Sequence, residues 1–181
     1  MSFADFYQLV EARQSCRAYD STREVEPDKL ARIIETARLA PSACNSQPWH
    51  LITVTDKERR GAVADALTSI GMNKWAEQAT AFIVIVQESP NFTARLGGWI
   101  KNKHFPLIDC GIVSSFITLA ATQEGLGSCI LGWFDEKQMR KILKIPRSKR
   151  VLMVVSLGYA TDEHRTHQRK SLGEMSSSEK Y

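Results

Sequence analysis

The apolar positions near the N-terminus recur at helical spacing in two segments. The segment from Phe3 to Val10 has one apolar face and follows Ser2, which predicts a first helix capped by Ser2. This helix is expected to fade around Arg13 to Ser15. A second amphipathic segment begins at Pro27 and is stopped by Pro41, which predicts a second helix between them.

The next part of the chain alternates between strand and helix patterns. Leu51 to Thr55 is predicted as a strand, and Asp56 is predicted to cap a third helix whose apolar positions reach Ile70. Ala81 to Gln87 is a continuous, β-branched apolar run, which is typical of a central strand buried on both faces. Ser89 to His104 mixes proline, glycine and aromatic residues and is predicted as a surface excursion.

The second half contains a long segment that is nearly free of charge. Leu107 to Glu124 is rich in small residues and predicts a helix buried all round, against a sheet or a partner subunit. Ser128 to Phe134 and Val151 to Leu157 are predicted strands, with a helix capped by Asp135 between them. From Thr161 onward the chain is polar.

These elements, about four strands and five helices in near alternation, predict a three-layer domain of the α/β or α+β class. We expect one domain over residues 1–175 and a polar C-terminal tip at residues 176–181. The length of 181 residues, with 43% apolar and 24% charged residues, fits one globular domain. The longest apolar run, Ala81 to Val86, is far short of a membrane span, and no membrane association is expected.

Charge and cysteine content limit the function classes further. The net charge of +4 favours anionic ligands slightly, and the basic stretch from Lys137 to Arg150 leaves nucleic-acid binding as a disfavoured alternative because it lacks interleaved aromatic residues. The four cysteines form no C-x-x-C pair, and the N-terminus lacks a signal-peptide core, so reduced thiols in the cytoplasm are expected. His164 and His167 lack a supporting ligand, so no metal site is expected.

Two polar clusters are candidates for binding an anion. Arg13 and Arg17, with Ser15 between them, can surround a phosphate with charge-assisted hydrogen bonds, although a solvated helix end explains the same residues. The tail that contains Arg165 and Arg169 can close over an anion or form a solvated basic arm.

A third cluster is rich in amides. The stretch from Pro41 to Trp49 contains Ser42, Asn45 and Gln47 between two prolines, which suits the polar edge of a heterocycle but also fits a plain helix-to-strand turn. Glycines at Gly125 to Gly127 allow close approach of a ligand, yet helix capping explains them as well. Neither a G-x-S-x-G elbow nor a P-loop occurs.

Taken together and in this order, the clusters resemble the nitroreductase family of flavoproteins. The matching pieces are R-x-S-x-R from Arg13, A-P-S-x-x-N-x-Q-P-W from Ala40, Asn73 before the apolar strand, Asp109 opening the long helix, G-L-G from Gly125 and the arginine-containing tail. The resemblance implies an α+β fold of the α/β/α type, with a mostly antiparallel sheet of four to five strands flanked by helices. It also implies a homodimer with FMN at the subunit interface.

The resemblance further implies which residues bind FMN: Arg13, Ser15, Arg17, Pro41, Ser42, Asn45, Gln47, Asn73, Ile130, Leu131, Gly132 and Arg169. The arginines, with Arg165 as an additional candidate, are implied near the phosphate and ribityl chain. Pro41, Ser42 and Asn45 are implied to come from the other subunit. Gln47 and Asn73 are implied at the polar edge of the flavin or its ribityl chain, and the backbone of residues 130–132 beside the ring near N5.

The implied function is an FMN-dependent oxidoreductase that uses NADH or NADPH to reduce nitroaromatic, quinone or similar small acceptors. The implied mechanism is ping-pong through flavin N5, with no side chain assigned as a catalytic acid or base. The alternative is a flavin-binding carrier or sensor protein without general reductase turnover.

Overall fold

The computed structural model describes residues 2–69 and 71–181, so Ile70, at the end of the predicted third helix, and Met1 lie outside the described residues. Over those residues the helices are α1 Phe3–Ala12, α2 Pro27–Arg38, α3 Lys57–Thr68, α4 Phe92–Lys101, α5 Phe105–Gln123, α6 Glu136–Ile142 and α7 Leu172–Met175. The strands are β1 Trp49–Val54, β2 Ala81–Gln87, β3 Gly127–Leu131 and β4 Arg150–Gly158.

The strands form one sheet in the order β1-β2-β4-β3, and every neighbouring pair is antiparallel. This confirms the antiparallel α+β architecture implied by the resemblance. Trp49 pairs with Gln87, which pairs in turn with Arg150 at the start of β4. At the other end of β4, Gly158 pairs with Gly127. β1 and β3 are therefore the two edges of the sheet.

Strand β2 shows why the sheet is covered on both faces. Its residues alternate between two cores: Phe82 and Val84 lie in one, and Ile83 and Ile85 lie in the other. All four are fully buried. Because side chains alternate across a strand, a continuous apolar run requires helices on both sides.

The first core lies under α3 and α6, and the second lies under α2 and α5. Val63 and Met139 enter the first core, whereas Ile33 and Ile117 enter the second. The molecule therefore has the three predicted layers, helices on sheet on helices.

The three helix starts with predicted caps agree with the sequence, while several other bounds differ: β1 begins at Trp49 and not at Leu51, and α5 begins at Phe105 and not at Leu107. The side chains of Ser2, Asp56 and Asp135 accept a backbone N–H at the starts of α1, α3 and α6. Strand β3 ends at Leu131, three residues before the predicted end, because the chain then turns toward the α6 cap.

The predicted surface excursion is wrong in part, because it contains helix α4. Asn91 caps this helix by accepting the Ala94 N–H at 2.9 Å. Gly97 and Gly98 interrupt its apolar pattern, and Gly98 is required there because a Cβ would lie 2.7 Å from the Lys103 backbone oxygen. Because of these two glycines, the apolar pattern of the segment does not indicate a helix.

Helix α5 is only half covered within this chain, so the predicted burial on all sides requires a partner subunit. Val113 and Ile117 face the core, whereas Ile108 is 53% exposed and Leu107 is 48% exposed. The helix is long and apolar enough to cross a membrane by length and composition, yet its inner face packs on the sheet. Helix α1 packs beside it, and Phe3 and Tyr7 of α1 are also exposed.

Candidate functional site

The arginine segment lies along the outer edge of β3. Arg13 leaves α1 in an extended conformation, and Ser15 forms a parallel bridge with Ser128 of β3. The Cys16 N–H donates to the Ser128 carbonyl at 2.9 Å. These backbone contacts place Arg13 and Arg17 beside the first residues of β3.

Two glycines permit this close approach. A Cβ at Gly127 would lie 2.8 Å from Cys16 Sγ, and a Cβ at Gly158 would lie 2.9 Å from the Tyr19 ring. Gly125 has a φ of +73° and ends α5. The G-L-G stretch thus serves helix capping through Gly125 and close contact with Cys16 through Gly127.

The tail after β4 returns over the same segment and is held by Asp162. Its carboxylate accepts the Arg17 N–H at 3.1 Å and pairs with the Arg165 guanidinium at 2.9 Å. Burial works to raise the pKa of Asp162, but hydrogen bonds from the Cys16 thiol, the Arg17 N–H and Arg165 outweigh it and lower that pKa. This anchor is therefore complete above the usual aspartate pKa and is lost as pH falls through the lowered value.

Gln14 provides a second link between the arginine segment and the tail. Its side-chain oxygen accepts the Arg165 N–H at 3.0 Å, and its amide nitrogen donates to the Glu163 carbonyl at 3.4 Å. His164 and His167 both lie within hydrogen-bonding distance of the Glu11 carbonyl at the end of α1. In this chain the H-x-x-H pair thus secures the tail to α1.

The segment and the tail enclose a pocket of about 290 Å³ that contains four arginines and no carboxylate. It is lined by Arg13, Gln14, Ser15, Arg17, Arg165, Thr166, His167, Gln168 and Arg169. Neither Arg13 nor Arg17 forms an ion pair with any described residue. The structure therefore brings together the predicted arginines, Ser15 and Arg169 in an arrangement that suits a dianionic phosphate.

The cysteines near this pocket are unsuited to redox chemistry. Burial raises the pKa of Cys16 to about 12 and also raises the pKa of Cys129, although the nearby Arg17 acts in the opposite direction there. A buried thiol with a raised pKa stays protonated at neutral pH and is a poor nucleophile. Both residues therefore act as packing residues.

The amide-rich loop lies between α2 and β1. Ser42 Oγ accepts the Gln47 N–H at 2.9 Å, and the Gln47 amide donates to both the backbone and side-chain oxygens of Asn45 at 3.1 Å. Pro41, Asn45 and Gln47 are exposed. The loop thus presents polar groups outward from a framework closed by its own hydrogen bonds.

The end of β3 supplies the third predicted region. Ile130 and Gly132 are exposed, whereas Leu131 is buried. β3 is an edge strand, and residues 15 and 16 bond to its outer side at Ser128, so its outer backbone groups are available to a ligand from Ile130 onward. Asn73, with a φ of +57°, donates its amide to the Trp133 carbonyl at 2.9 Å and so holds the chain that follows Gly132.

Within one chain, the loop and the arginine pocket lie at opposite corners of the sheet. The loop precedes Trp49, which lies level with Arg150 at the start of β4. Ser15 lies beside Ser128, which pairs with Leu157 near the end of β4. Seven residues of β4 and three strand spacings separate these corners, or roughly 23 Å along the strands and roughly 14 Å across them. One chain therefore does not bring the two regions together.

Sequence reasoning missed three residues that hold these regions: Asp162, Gln14 and Asn91. Asp162 and Gln14 act across contacts between residues about 145 to 150 positions apart, which no local pattern signals. Asn91 could have been found from local sequence, because asparagine is a preferred N-cap residue and its side chain accepts the Ala94 N–H three residues later.

Comparison with known proteins gives a consistent picture. The sequence model of the nitroreductase family matches residues 10–88 and 69–159. A relative from Archaeoglobus fulgidus, whose name pairs NADH dehydrogenase with NAD(P)H nitroreductase, is 34% identical over 160 residues, which cover 86% of each chain. An oxygen-insensitive NADPH nitroreductase from Helicobacter pylori is 29% identical and covers 91% of each chain.

A solved structure also matches over most of the chain. It is an FMN-dependent nitroreductase from Clostridium difficile R20291, with a TM-score of 0.71 and 29% sequence identity. The match covers 88% of this chain and 90% of that one.

The contacts of Asp162 with the tail predict that losing them makes the tail more sensitive to trypsin. Replacing Asp162 with alanine removes the acceptor for the Arg17 N–H and Arg165, so the tail should open more often. A net hydrogen bond contributes about 0.5–1.5 kcal/mol, so tryptic cleavage after Arg165 or Arg169 should be about threefold faster or more. Asp28→Ala, an exposed aspartate in α2, is the matched control. Equal cleavage rates in both variants would show that Asp162 does not hold the tail.

Proposed function

The chain belongs to the nitroreductase family, which makes it an NAD(P)H oxidoreductase, and from that premise we propose that it uses FMN. The proposed acceptors are nitroaromatics, quinones or similar small molecules, reduced by a ping-pong mechanism. The observation that carries the proposal is the pocket of four arginines without a carboxylate, in a chain that folds as the family does.

The residues present fit the proposed cofactor. Arg13, Arg17 and Arg169 supply guanidinium donors for a phosphate, and the Ser15 hydroxyl adds a neutral donor. Asn45 is exposed in the loop and offers an amide, which has both donor and acceptor atoms. This donor set matches a ligand that combines a dianionic phosphate with a polar heterocycle.

FMN, when bound, supplies the two-electron chemistry of both half-reactions, so NAD(P)H and the acceptor can occupy the same site in turn. The chain itself binds and orients. Backbone groups at the free edge of β3, from Ile130 to Gly132, are proposed beside the ring. Asn73 holds the chain after Gly132 in place through the Trp133 carbonyl. No side chain is assigned as a catalytic acid or base.

We also propose that the working unit is a homodimer. The loop and the arginine pocket are too far apart in one chain to bind one ligand, so Pro41, Ser42 and Asn45 are proposed to come from the partner subunit. Gln47 holds Asn45 by two hydrogen bonds and is proposed to act with it. The half-covered face of α5, with the adjoining exposed side chains of α1, is the proposed interface.

The four cysteines are free thiols in the structure, which supports the proposed cytoplasmic location.

Anaerobic reduction tests the proposed activity directly. The purified protein should be yellow or take up FMN, lose its visible absorbance on addition of NADH or NADPH, and regain it when a nitroaromatic or quinone is added. A protein that stays yellow with both nicotinamides would be a flavin carrier or sensor, and a protein that takes up no FMN would contradict the proposal.

Arg17→Ala should weaken FMN binding. A charge-assisted hydrogen bond to phosphate contributes about 1.5–3 kcal/mol, so the dissociation constant should rise roughly tenfold to a hundredfold in a fluorescence titration. Arg147→Ala removes the same charge from a side chain without an ion pair on the other side of the molecule, and serves as the control. Equal affinities for the two variants would refute the phosphate assignment.

Ile108→Glu should weaken the dimer. The substitution places a charge on the half-covered face of α5, where the side chain is 53% exposed in one chain but buried in the proposed dimer. Sedimentation velocity should show a shift toward monomer, together with loss of tight FMN binding. Arg59→Glu, on the exposed side of α3, should leave the sedimentation coefficient unchanged. A wild-type protein that binds FMN as a stable monomer would contradict the shared site.

A further inference from the structure

We propose that Asp109 and Asn91 are positioning residues that hold the loop from Ala43 to Gln47 in the conformation in which it meets the cofactor. This inference rests on the proposed function, because the loop is a cofactor loop only if the protein binds FMN. Neither side chain is assigned a contact with the cofactor.

The loop has an unfavourable backbone conformation that needs support from the rest of the domain. Cys44, Asn45 and Gln47 have φ values of 52°, 50° and 46°, which lie in the left-handed region. Residues other than glycine adopt this region at a cost, and three of them within four positions persist only where the surroundings fix them. Internal hydrogen bonds from Gln47 to Ser42 and Asn45 close the loop but do not attach it to the domain.

Helix α5 attaches both ends of the loop. Asp109 is 3% exposed, and its Oδ1 accepts the Ala43 N–H at 3.1 Å. Its neighbour Cys110 has its sulfur 3.6 Å from the Pro48 carbonyl, and burial raises the pKa of this thiol to about 11, so it remains a donor at neutral pH. The Ala43 N–H is thus held by a buried carboxylate, a strong acceptor.

The second oxygen of Asp109 is unusual. Its Oδ2 is buried and has no hydrogen-bond partner among the described residues. A buried carboxylate with a single donor is costly for stability alone, since its charge is poorly compensated. Its position beside the loop is explained if its role is to fix the Ala43 amide.

Helix α4 attaches the middle of the loop through Asn91. The Asn91 N–H donates to Ser46 Oγ at 2.8 Å, and its amide nitrogen donates to the Cys44 carbonyl at 3.0 Å. The same side chain caps α4 by accepting the Ala94 N–H. Asn91 therefore couples the start of α4 to the strained part of the loop.

These anchors contact the inner side of the loop only. They bond to the Ala43 and Cys44 backbone and to the Ser46 hydroxyl, and they make no hydrogen bond to the Asn45 or Gln47 side chains within the described residues. The outward amides stay available to a ligand while the backbone is fixed. Fixing a loop before binding removes the ordering cost that the ligand otherwise pays.

Two pairs of variants separate the anchors from general folding effects. Asp109→Ala removes the acceptor for Ala43, whereas Asp109→Asn keeps an oxygen that can accept it. Asn91→Asp keeps the α4 cap but removes the donor to Cys44. Asn102→Asp makes the same change at the other end of α4, where the side chain makes no hydrogen bond to the loop, and is the control.

The first measurement is amide hydrogen exchange of the flavin-free protein over residues 42–48. A net hydrogen bond corresponds to about a threefold to tenfold change, so Asp109→Ala and Asn91→Asp should speed exchange of this segment by at least that factor. Asp109→Asn and Asn102→Asp should change it less. Uniform acceleration throughout the chain, or unchanged exchange in residues 42–48, would overturn the proposal.

The second measurement is FMN titration of the same variants. The FMN dissociation constant should rise by about threefold to tenfold in Asp109→Ala and Asn91→Asp, and Asp109→Asn should recover most of the affinity. Faster loop exchange with unchanged FMN affinity would also overturn the proposal. Wild-type protein that takes up no FMN would instead refute the proposed function, so the two failures are distinguishable.

Discussion

The arginine pocket depends on the backbone contact between residues 15–16 and Ser128. This contact lays the chain after α1 along β3, and Gly127 leaves the space that Cys16 needs. With that segment fixed, Asp162 and Gln14 can draw the tail over it. Arg165 is compensated by its ion pair with Asp162, but Arg13, Arg17 and Arg169 converge without an ion pair to any described residue, and their charges repel one another. An anion offsets that repulsion, so the geometry of the pocket favours a phosphate ligand.

The sheet register imposes a second constraint. Because β1 and β3 are opposite edges, and because the loop precedes the start of β1, the loop cannot reach the arginine pocket of its own chain. If two chains pair through α1 and α5, the pairing covers the exposed face of α5. The same pairing brings the loop of one chain to the arginine pocket of the other. The loop itself is held by Asp109 and Asn91, whose helices α5 and α4 begin close to it.

Much of this could be predicted from the sequence, because the signals were local. The caps at Ser2, Asp56 and Asp135 and the doubly buried strand β2 are confirmed. The antiparallel sheet is also confirmed, but it is implied by the family resemblance and not by local patterns. Other features depend on contacts between distant segments. The role of Gly127 depends on Cys16, and the role of Asp162 depends on a chain return of about 145 residues. Helix α4 escaped the pattern because Gly97 and Gly98 dilute it, and the exposed face of α5 cannot be told from a buried one by composition alone.

The central claim is that each cofactor site combines the arginine pocket of one chain with the loop of the other, and mixed dimers test it most directly. Dimers purified through two different tags would contain one Arg17→Ala chain and one Asn45→Ala chain. If the site is shared, one of the two sites receives both wild-type parts, and FMN titration should find one tight site per dimer. If each site is built within one chain, both sites carry a defect, and the absence of any tight site would contradict the account.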